Sequence, residues 1–267
     1  MKKFVDLVEA EKLYISGKTL KEIGQYFGVS DETIRQKFLK NNVEIKSLKI
    51  AKRKYSLNED FFEVIDDENK AYFLGFMYAD GWVNGNVMGI ELSEQDLNIL
   101  ISFQKLLETE KPLIFRKARK NTQQNQYTFK ISSDKIVDDL KKMGVVENKT
   151  HITKFRLDSF KNEDMVRHFI RGVFDGDGTV NKNYVSIVGN GEFLNGIKKY
   201  LETKEIQFGL YDSDCKATNI KRLSFNNQKT LKKFFDYMYK NSQLHLPRKK
   251  IKFINALIIS DSNKNLL

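Results

Sequence analysis

Two acidic residues, Asp80 and Asp177, stand in nearly matching frames of this 267-residue sequence. The frames read YFLGFMYADGWVNGN and FIRGVFDGDGTVNKN, so each acid follows an apolar run and a small residue and precedes a glycine. An internal repeat of this kind predicts a domain and its copy, related by a pseudo-twofold axis. Two carboxylates brought together by that axis repel each other, and a divalent cation removes the repulsion. A cation held by two acids activates water for hydrolysis.

The residues around each acid predict how the two acids are positioned. The apolar run has helical length, and the glycine after the acid favours the left-handed turn that closes a helix. Each acid is therefore expected in the last turn of a helix. Small residues at i and i+4, Gly75 with Ala79 and Gly172 with Gly176, allow two such helices to approach backbone to backbone. A single Asp-Gly is usually only a turn, but its repetition in matching frames favours a functional pair.

Both segments resemble the LAGLIDADG motif of homing endonucleases, in the form with two motifs on one chain, and the resemblance covers about residues 56–267. It implies an αββαββα fold in each half, with the two motif helices at the interface between the halves. It also implies metal binding by Asp80, Asp177 and the backbone carbonyls of Ala79 and Gly176. Because these ligands are hard oxygens, Mg²⁺ is the expected cofactor, and Mn²⁺ is expected to substitute.

The same resemblance implies catalytic roles for basic residues around the acids. Lys149 is similar to the lysine that follows the second helix of the first half, and Arg248 and Lys249 occupy the matching place in the second half. Ordinary phosphate contacts are the alternative for all three. Glu94 and Asn190, at strand-to-helix junctions, are candidates for positioning water, with helix capping and turn formation as the alternative.

Composition indicates the kind of partner. Lys and Arg number 46 against 35 Asp and Glu, a net charge of +11, which suits a polyanion such as double-stranded DNA. No apolar stretch is long enough to span a bilayer, and the first residues lack the pattern of a signal peptide, so an intracellular protein of the cytoplasm or nucleoid is expected. The single cysteine, Cys215, excludes an internal disulfide. His151, His168 and His245 lack zinc-ligand spacing.

Residues 1–45 resemble a helix-turn-helix module, with a helix over 4–15 preceding it. Thr19 and Glu22 form a capping box, Gly28 predicts a turn, and Ser30 caps the second helix. That helix is expected to present Arg35, Gln36 and Lys37 outward to DNA. A basic linker over residues 46–55, which includes Lys52 and Arg53, suits a phosphate backbone. The alternative is a small helical bundle with a solvated charged face.

From residue 56 the pattern predicts an α+β fold with two αββαββα halves, residues 56–158 and 159–267. Each half is expected to form an antiparallel sheet with one core face and one basic, amide-rich face that reads the major groove. The DNA-binding candidates on these sheets are Arg116, Lys117, Arg119, Lys130, Lys216, Lys221 and Arg222. Lysines on edge strands also prevent aggregation, which is the alternative.

Together these features predict a monomeric, Mg²⁺-dependent, site-specific double-strand DNA endonuclease that needs no protein partner. Two alternatives use the same scaffold. An RNA-splicing maturase would have intron RNA as a partner, and a catalytically silent DNA-binding regulator would be expected to have lost the acids. Asp80 and Asp177 are both retained, which favours the enzyme.

Overall fold

The computed structural model describes residues 4–45, 53–120, 123–147, 154–181, 184–213, 219–225 and 227–264. Several residues singled out in the sequence lie outside these ranges: Lys52, Lys149, His151, Cys215 and Lys216. The chain divides into two units, Met1–Ser56 and Leu57–Leu267.

Three short helices make up the first unit: α1 (Leu7–Ile15), α2 (Leu20–Phe27) and α3 (Asp31–Lys40). Thr19 and Glu22 form the predicted capping box, in which each side chain binds the backbone N–H of the other residue. Gly28 has φ 67°, the left-handed conformation that ends α2. The Ser30 hydroxyl then accepts from an N–H in the first turn of α3, as predicted.

The first helix begins later than the predicted residue 4. Asp6 is its N-cap, because the Asp6 carboxylate accepts hydrogen bonds from Val8 N at 2.9 Å and Glu9 N at 3.2 Å. The buried side chains that hold the three helices together are Val5, Ala10, Ile23, Ile34 and Phe38.

The second unit contains two copies of one arrangement. The first comprises α4 (Glu68–Ala79), β1 (Gly81–Asn84), β2 (Val87–Ser93), a 3₁₀ turn (Glu94–Asp96), α5 (Leu97–Leu106), β3 (Ile114–Arg116), β4 (Gln126–Ser132) and α6 (Asp134–Lys142). The second comprises α7 (Asp164–Asp177), β5 (Gly178–Val180), β6 (Val185–Asn190), α8 (Gly191–Thr203), β7 (Gly209–Asp212), β8 (Ile220–Phe225), α9 (Gln228–Tyr239) and α10 (Pro247–Lys264).

Each copy forms a four-stranded antiparallel sheet, with strand order β1-β2-β4-β3 in one and β5-β6-β8-β7 in the other. The register also repeats, because Gly81 pairs with Ile90 and Gly178 pairs with Ile187. The same order and register in both copies confirm the predicted α+β fold with two pseudo-symmetric halves. Aromatic rings fill much of the core. Phe73, for example, stacks on Phe103 with ring centroids 4.2 Å apart.

The glycines after the two acids do not adopt the predicted left-handed turn. Gly178 has φ −75° and ψ 147°, and Gly81 also lacks a positive φ. Each glycine is instead the first residue of a strand that folds back against the preceding helix. A Cβ at Gly81 would lie 2.6 Å from Met77 Cα, and a Cβ at Gly178 would lie 2.4 Å from Phe174 O. Glycine is therefore required here by close contact rather than by backbone conformation.

Two further features differ from the prediction. The strand expected over 112–118 covers only Ile114–Arg116. Beyond it, Ala118 N donates to Asn125 Oδ1 at 3.0 Å instead of to a neighbouring strand. Helix α10 was not predicted, and it begins at Pro247, a residue suited to the first turn of a helix. Among the residues that the structure describes, no helix combines the length and apolar character of a membrane span.

Candidate functional site

Helices α4 and α7 pack in direct backbone contact. A Cβ added to Gly75 would lie 2.0 Å from Phe169 O, and one added to Gly172 would lie 2.0 Å from Tyr72 O. No side chain fits at these distances, so the small residues of both motifs are required for the contact. This geometry confirms the predicted backbone-to-backbone approach of the two helices.

The two helices run in the same direction and end together. A Cβ added to Gly176 would lie 2.2 Å from Ala79 Cβ and 3.2 Å from Asp80 Oδ2. Asp80 caps α4, with its N–H donating to Phe76 O at 2.9 Å, and Asp177 is the last residue of α7. Both acids are exposed. The structure therefore places the two predicted acids at one solvent-facing end of the helix pair.

Lys249, in the first turn of α10, reaches the same end of α7. Its ammonium donates to Gly176 O at 2.6 Å and to Phe174 O at 3.0 Å, and the residue is only 7% exposed. Burial lowers the pKa of Lys249 to about 8, against the opposing effect of the nearby acids Asp175, Asp80 and Asp177. A carbonyl oxygen has two lone pairs, so Gly176 O keeps capacity for a second partner.

Arg248 forms an ion pair within the chain that was not predicted from the sequence. Its guanidinium binds the carboxylate of Asp96 through Nε at 2.8 and 3.1 Å and through Nη2 at 2.7 Å. Hydrogen bonding to Asp96 raises the pKa of Arg248. The partner is 152 positions away in sequence, and no spacing motif connects them. Lys149, the matching candidate of the first half, lies outside the described residues.

The two weaker candidates have structural contacts. Asn190 is the N-cap of α8, because its Oδ1 accepts from Glu192 N at 2.9 Å and Phe193 N at 3.2 Å. Glu94 Oε2 accepts from Asn125 Nδ2 at 2.9 Å and so helps to fix the turn before β4. The capping and turn roles are confirmed, whereas a role in positioning water stays a prediction.

The residue two places before each acid differs between the motifs. In the second motif, Asp175 is fully buried and accepts from Tyr72 Oη at 2.9 Å, Tyr239 Oη at 3.1 Å and Leu246 N at 2.7 Å. Burial raises the pKa of Asp175 to about 6. In the first motif, Tyr78 donates to the carbonyl of Met143. Tyr78 therefore binds the chain directly after α6 in the first half, and Asp175 binds the chain after α9 in the second half.

The outer face of the first sheet carries several of the DNA-binding candidates. Arg116 and Lys130 lie on it, since Phe129 and Ile131 of β4 point into the core. Arg116 Nη2 lies 2.5 Å from the Glu91 carboxylate, which also accepts from Thr128 Oγ1 at 2.9 Å. The loop that follows β3 carries two more candidates, Lys117 and Arg119. Both line a polar surface cavity, and its other lining residues are Arg116, Ala118, Gln123, Gln124 and Gln126.

In the second sheet, the two adjacent candidates Lys221 and Arg222 lie on opposite faces. Leu223 and Phe225 of the same strand are buried, so Lys221 shares their face and Arg222 lies on the outer one. Lys221 binds Asp212 at 2.5 Å near the end of the strand pair. The prediction that both residues lie on one basic surface is therefore wrong, because neighbouring side chains of a strand point to opposite faces. Arg222 is the residue on the outer face.

In the first unit, two of the three candidates on α3 are exposed. Arg35 and Gln36 face solvent, and Gln36 Nε2 donates to Glu32 Oε1 at 2.6 Å. Lys37 is not outward: its ammonium donates to the Val5 carbonyl and lies 5.4 Å from the centre of the Phe4 ring. Lys37 therefore holds the N-terminal segment against α3. Arg53, in the predicted linker, is partly buried.

The donors around the two acids suit a hard cation. Within the described ranges, no group of three or more His, Cys, Asp or Glu side chains is placed to hold a metal ion. A cation at this end of α4 and α7 would instead have two exposed carboxylates and neighbouring backbone oxygens. Mg²⁺ typically uses one or two protein carboxylates and fills its remaining positions with water and phosphate oxygens. The residues present fit that pattern.

Comparisons with known proteins agree with this geometry. The family model of the LAGLIDADG-like domain matches residues 67–144 and again residues 164–239. No curated protein matches the sequence significantly.

Solved structures show the same fold. The chain is similar to the homing endonuclease I-WcaI bound to its DNA recognition sequence, at 14% identity and TM-score 0.52, over 73% of this chain and 91% of that chain. It is also similar to a double mutant of I-SmaMI, at 11% identity and TM-score 0.50, over 72% of this chain and 92% of that chain.

Proposed function

Because two copies of the LAGLIDADG-like domain cover more than half of the sequence, the chain belongs to that family, and we propose that it is a site-specific double-strand DNA endonuclease. The observation that carries the proposal is the meeting of two exposed carboxylates, Asp80 and Asp177, at one end of the paired helices α4 and α7. Two acids related by a pseudo-twofold axis suit the two antiparallel strands of a duplex.

Phosphodiester hydrolysis needs an activated water, stabilisation of negative charge on the phosphorus centre and neutralisation of the departing 3′ oxygen. Asp80 and Asp177 would hold Mg²⁺ together with the backbone oxygens of Ala79 and Gly176. When bound, the cation would lower the pKa of its water and stabilise charge on the phosphate. Lys249, whose ammonium donates to Gly176 O next to Asp177, would provide a positive charge to the phosphate or its solvent shell.

Binding of duplex DNA would use the outer faces of the two sheets. The net charge of +11 favours a polyanion, and the sheets present basic and amide side chains that include Arg116, Gln126, Lys130 and Arg222. Arginine and lysine recognise guanine, and glutamine recognises adenine, at the edges exposed in the major groove. Two sheets of equal topology suit a long target with two half-sites, nearly palindromic or asymmetric.

The test begins with selection of a target from a pool of randomised DNA duplexes by the full chain, in Ca²⁺ for binding and in Mg²⁺ for cleavage. Ca²⁺ tolerates looser coordination, so binding is expected without cutting. Asp80→Asn and Asp177→Asn should abolish double-strand cleavage while duplex affinity stays within about three-fold, because each removes a metal ligand outside the sheets.

Glu205→Gln is the matched control, because it removes an exposed carboxylate that pairs with Lys233 in the second half. This variant should cut at the wild-type rate. Cleavage by either aspartate variant at the wild-type rate, or cleavage in EDTA, would contradict the proposed site. Binding of duplex without cleavage by the wild type would indicate a DNA-binding regulator. Selective binding of structured intron RNA would indicate a maturase.

A further inference from the structure

Asp96 and Arg248 form an ion pair between the two halves of the second unit. Asp96 ends the 3₁₀ turn of the first half, and its side chain is only 4% exposed. Arg248 lies in the first turn of α10 in the second half, and its guanidinium meets both carboxylate oxygens of Asp96. Because two guanidinium nitrogens bind the two carboxylate oxygens, the orientation of the guanidinium is fixed, whereas a single hydrogen bond would leave it free to rotate.

The pair lies beside the candidate site. Lys249, the next residue along α10, donates to Phe174 O and Gly176 O at the end of α7. The backbone of this turn is anchored as well, since Lys249 N and Lys250 N both donate to Leu246 O at 3.1 Å. The Asp96 carboxylate therefore holds one side of a helical turn, and the next residue of that turn, Lys249, binds the end of α7.

The ion pairs between the halves differ at the two ends of the pseudo-symmetric arrangement. At the other end, Lys154 of the first half pairs with Glu192 of the second half, Nζ to Oε1 3.0 Å, and both side chains are largely exposed. In the first half, the residues Glu94–Asp96 form a 3₁₀ turn between β2 and α5. In the second half, α8 begins at Gly191 directly after β6 ends at Asn190, so the turn that carries Asp96 has no counterpart there. The two strands of a bound duplex would consequently meet different surroundings.

We propose that Asp96 is a positioning residue for DNA cleavage: through Arg248 it fixes the first turn of α10, and so places Lys249 at the end of α7. This inference rests on the proposed endonuclease function. Asp96 is buried and does not itself contact DNA. Because the pair places Lys249 at the end of α7, beside Asp177, its loss should slow the cutting of one strand more than that of the other.

The main test uses Asp96→Asn, which removes the charge at nearly constant shape. A selected target is placed in a supercoiled plasmid, and the rates of nicking and of linearisation are measured separately in Mg²⁺. The variant should nick at close to the wild-type rate and accumulate open circles, with second-strand cutting slower by about 10- to 100-fold, the usual effect of losing a residue that orients a catalytic group. A general loss of stability or DNA affinity would slow both steps equally.

A second measurement requires no DNA. Hydrogen exchange at the amides of Lys249 and Lys250 should be faster in Asp96→Asn than in the wild type. Arg248→Lys keeps the positive charge beside the buried carboxylate but loses the paired geometry, so it should remain folded and show both effects to a smaller degree. Glu205→Gln, which breaks an exposed ion pair of the second half, should show neither faster exchange nor slower second-strand cutting.

The outcomes separate the inference from the function on which it rests. Unchanged amide exchange in Asp96→Asn and Arg248→Lys would overturn the claim that the pair fixes α10. Faster exchange with equal slowing of both strands would overturn the positioning role in cleavage. If the wild type cuts no duplex, the proposed function has failed, and the exchange measurement still shows whether Asp96 holds the turn.

Discussion

Glu68 and Arg171 form a buried ion pair between the two motif helices, with Arg171 Nη2 and Glu68 Oε1 separated by 2.7 Å. Glu68 is the first residue of α4, and Arg171, on α7, is fully buried. The guanidinium also donates to Leu244 O at 2.7 Å and to Met238 O at 2.9 Å, so it connects α4 and α7 with α9 and the chain that follows α9. The helix contact that carries the two acids is thus held by polar bonds as well as by its glycines.

Glu68→Gln should strongly destabilise the fold. It removes the carboxylate that pairs directly with the buried Arg171 cation, and breaking such a pair typically costs about 3–5 kcal/mol of unfolding free energy. Chemical denaturation of the full chain would measure the change. Glu163→Gln is the control, since it breaks an ion pair with Lys204 whose glutamate is 65% exposed, and it should leave the free energy of unfolding nearly unchanged. Equal effects of the two substitutions would show that the buried pair has no special weight.

Stability should depend on the protonation of His168, which is buried beside Arg171. Its Nδ1 lies 2.7 Å from Arg171 Nη1, and burial together with the charges of Arg171 and Arg167 lowers the pKa of His168 to about 4. Glu68 and Asp164 oppose this effect. Because the folded pKa lies below the unfolded value of 6.5, the neutral ring stabilises the fold fully above that pH.

This contribution should be lost as the pH falls from about 6.5 towards 4, at up to about 1.4 kcal/mol per pH unit. His168→Gln should remove that part of the slope, whatever its effect on stability at neutral pH. Urea unfolding of both proteins between pH 4 and pH 8 gives the comparison. Parallel pH curves for the two proteins would show that His168 titrates normally in the fold.

The parts of the fold predicted from sequence are those set by short-range patterns. The capping box of Thr19 and Glu22, the turn at Gly28 and the small residues Gly75 and Gly172 all act through neighbours or through a repeated frame. Their physical requirements therefore appear in the local sequence. The repeat itself predicted two equal sheets, and the strand order confirms them.

The parts that were not predicted depend on contacts between distant residues. Asp96 has the appearance of a helix-start residue, and its pairing with Arg248 emerges only when α10 folds back across the halves. The turn after each acid was predicted as left-handed because Asp-Gly commonly stops a helix, whereas the close contact of Gly178 with Phe174 determines the residue. Local patterns do not specify which side chains come together over such separations.

Gly172→Ala should destabilise the contact of α4 and α7. The added methyl would lie 2.0 Å from Tyr72 O, so the helices must separate, and overpacking of this kind typically costs about 1–3 kcal/mol. Gly189→Ala is a matched control, because its methyl would meet only Leu194 side-chain atoms at 3.9 Å. Thermal unfolding should show a clear loss for the first variant and little change for the second. An unaltered melting temperature in Gly172→Ala would mean that the helices are not in close contact.

Arg222→Ala and Lys221→Ala should have different effects on DNA recognition, although the residues are adjacent. Arg222 lies on the outer face of the second sheet, whereas Lys221 shares the face of Leu223 and binds Asp212. Loss of a base contact by arginine typically costs about 1–3 kcal/mol of discrimination at one base pair. Binding to a library of single-base variants of the selected target should therefore show relaxed preference at one position for Arg222→Ala only. Equal profiles for both variants would contradict the assignment of the faces.

Deletion of residues 1–56 should leave the cut position unchanged and shorten the DNA footprint on one side. The second unit contains both acids, and the helix-turn-helix module is expected to contact DNA beyond the sheets. Each lost phosphate contact lowers the magnitude of the salt slope by about 0.9 on duplex DNA, so the slope of log affinity against log salt should also flatten.

Arg35→Ala, on the exposed face of α3, should relax sequence preference in that flank without altering the unfolding of the module. Lys37→Ala should instead destabilise the module, because Lys37 binds the Val5 carbonyl within it. A truncated protein with the footprint and salt slope of the full chain would show that the module does not contact this DNA and has a structural or protein-binding role.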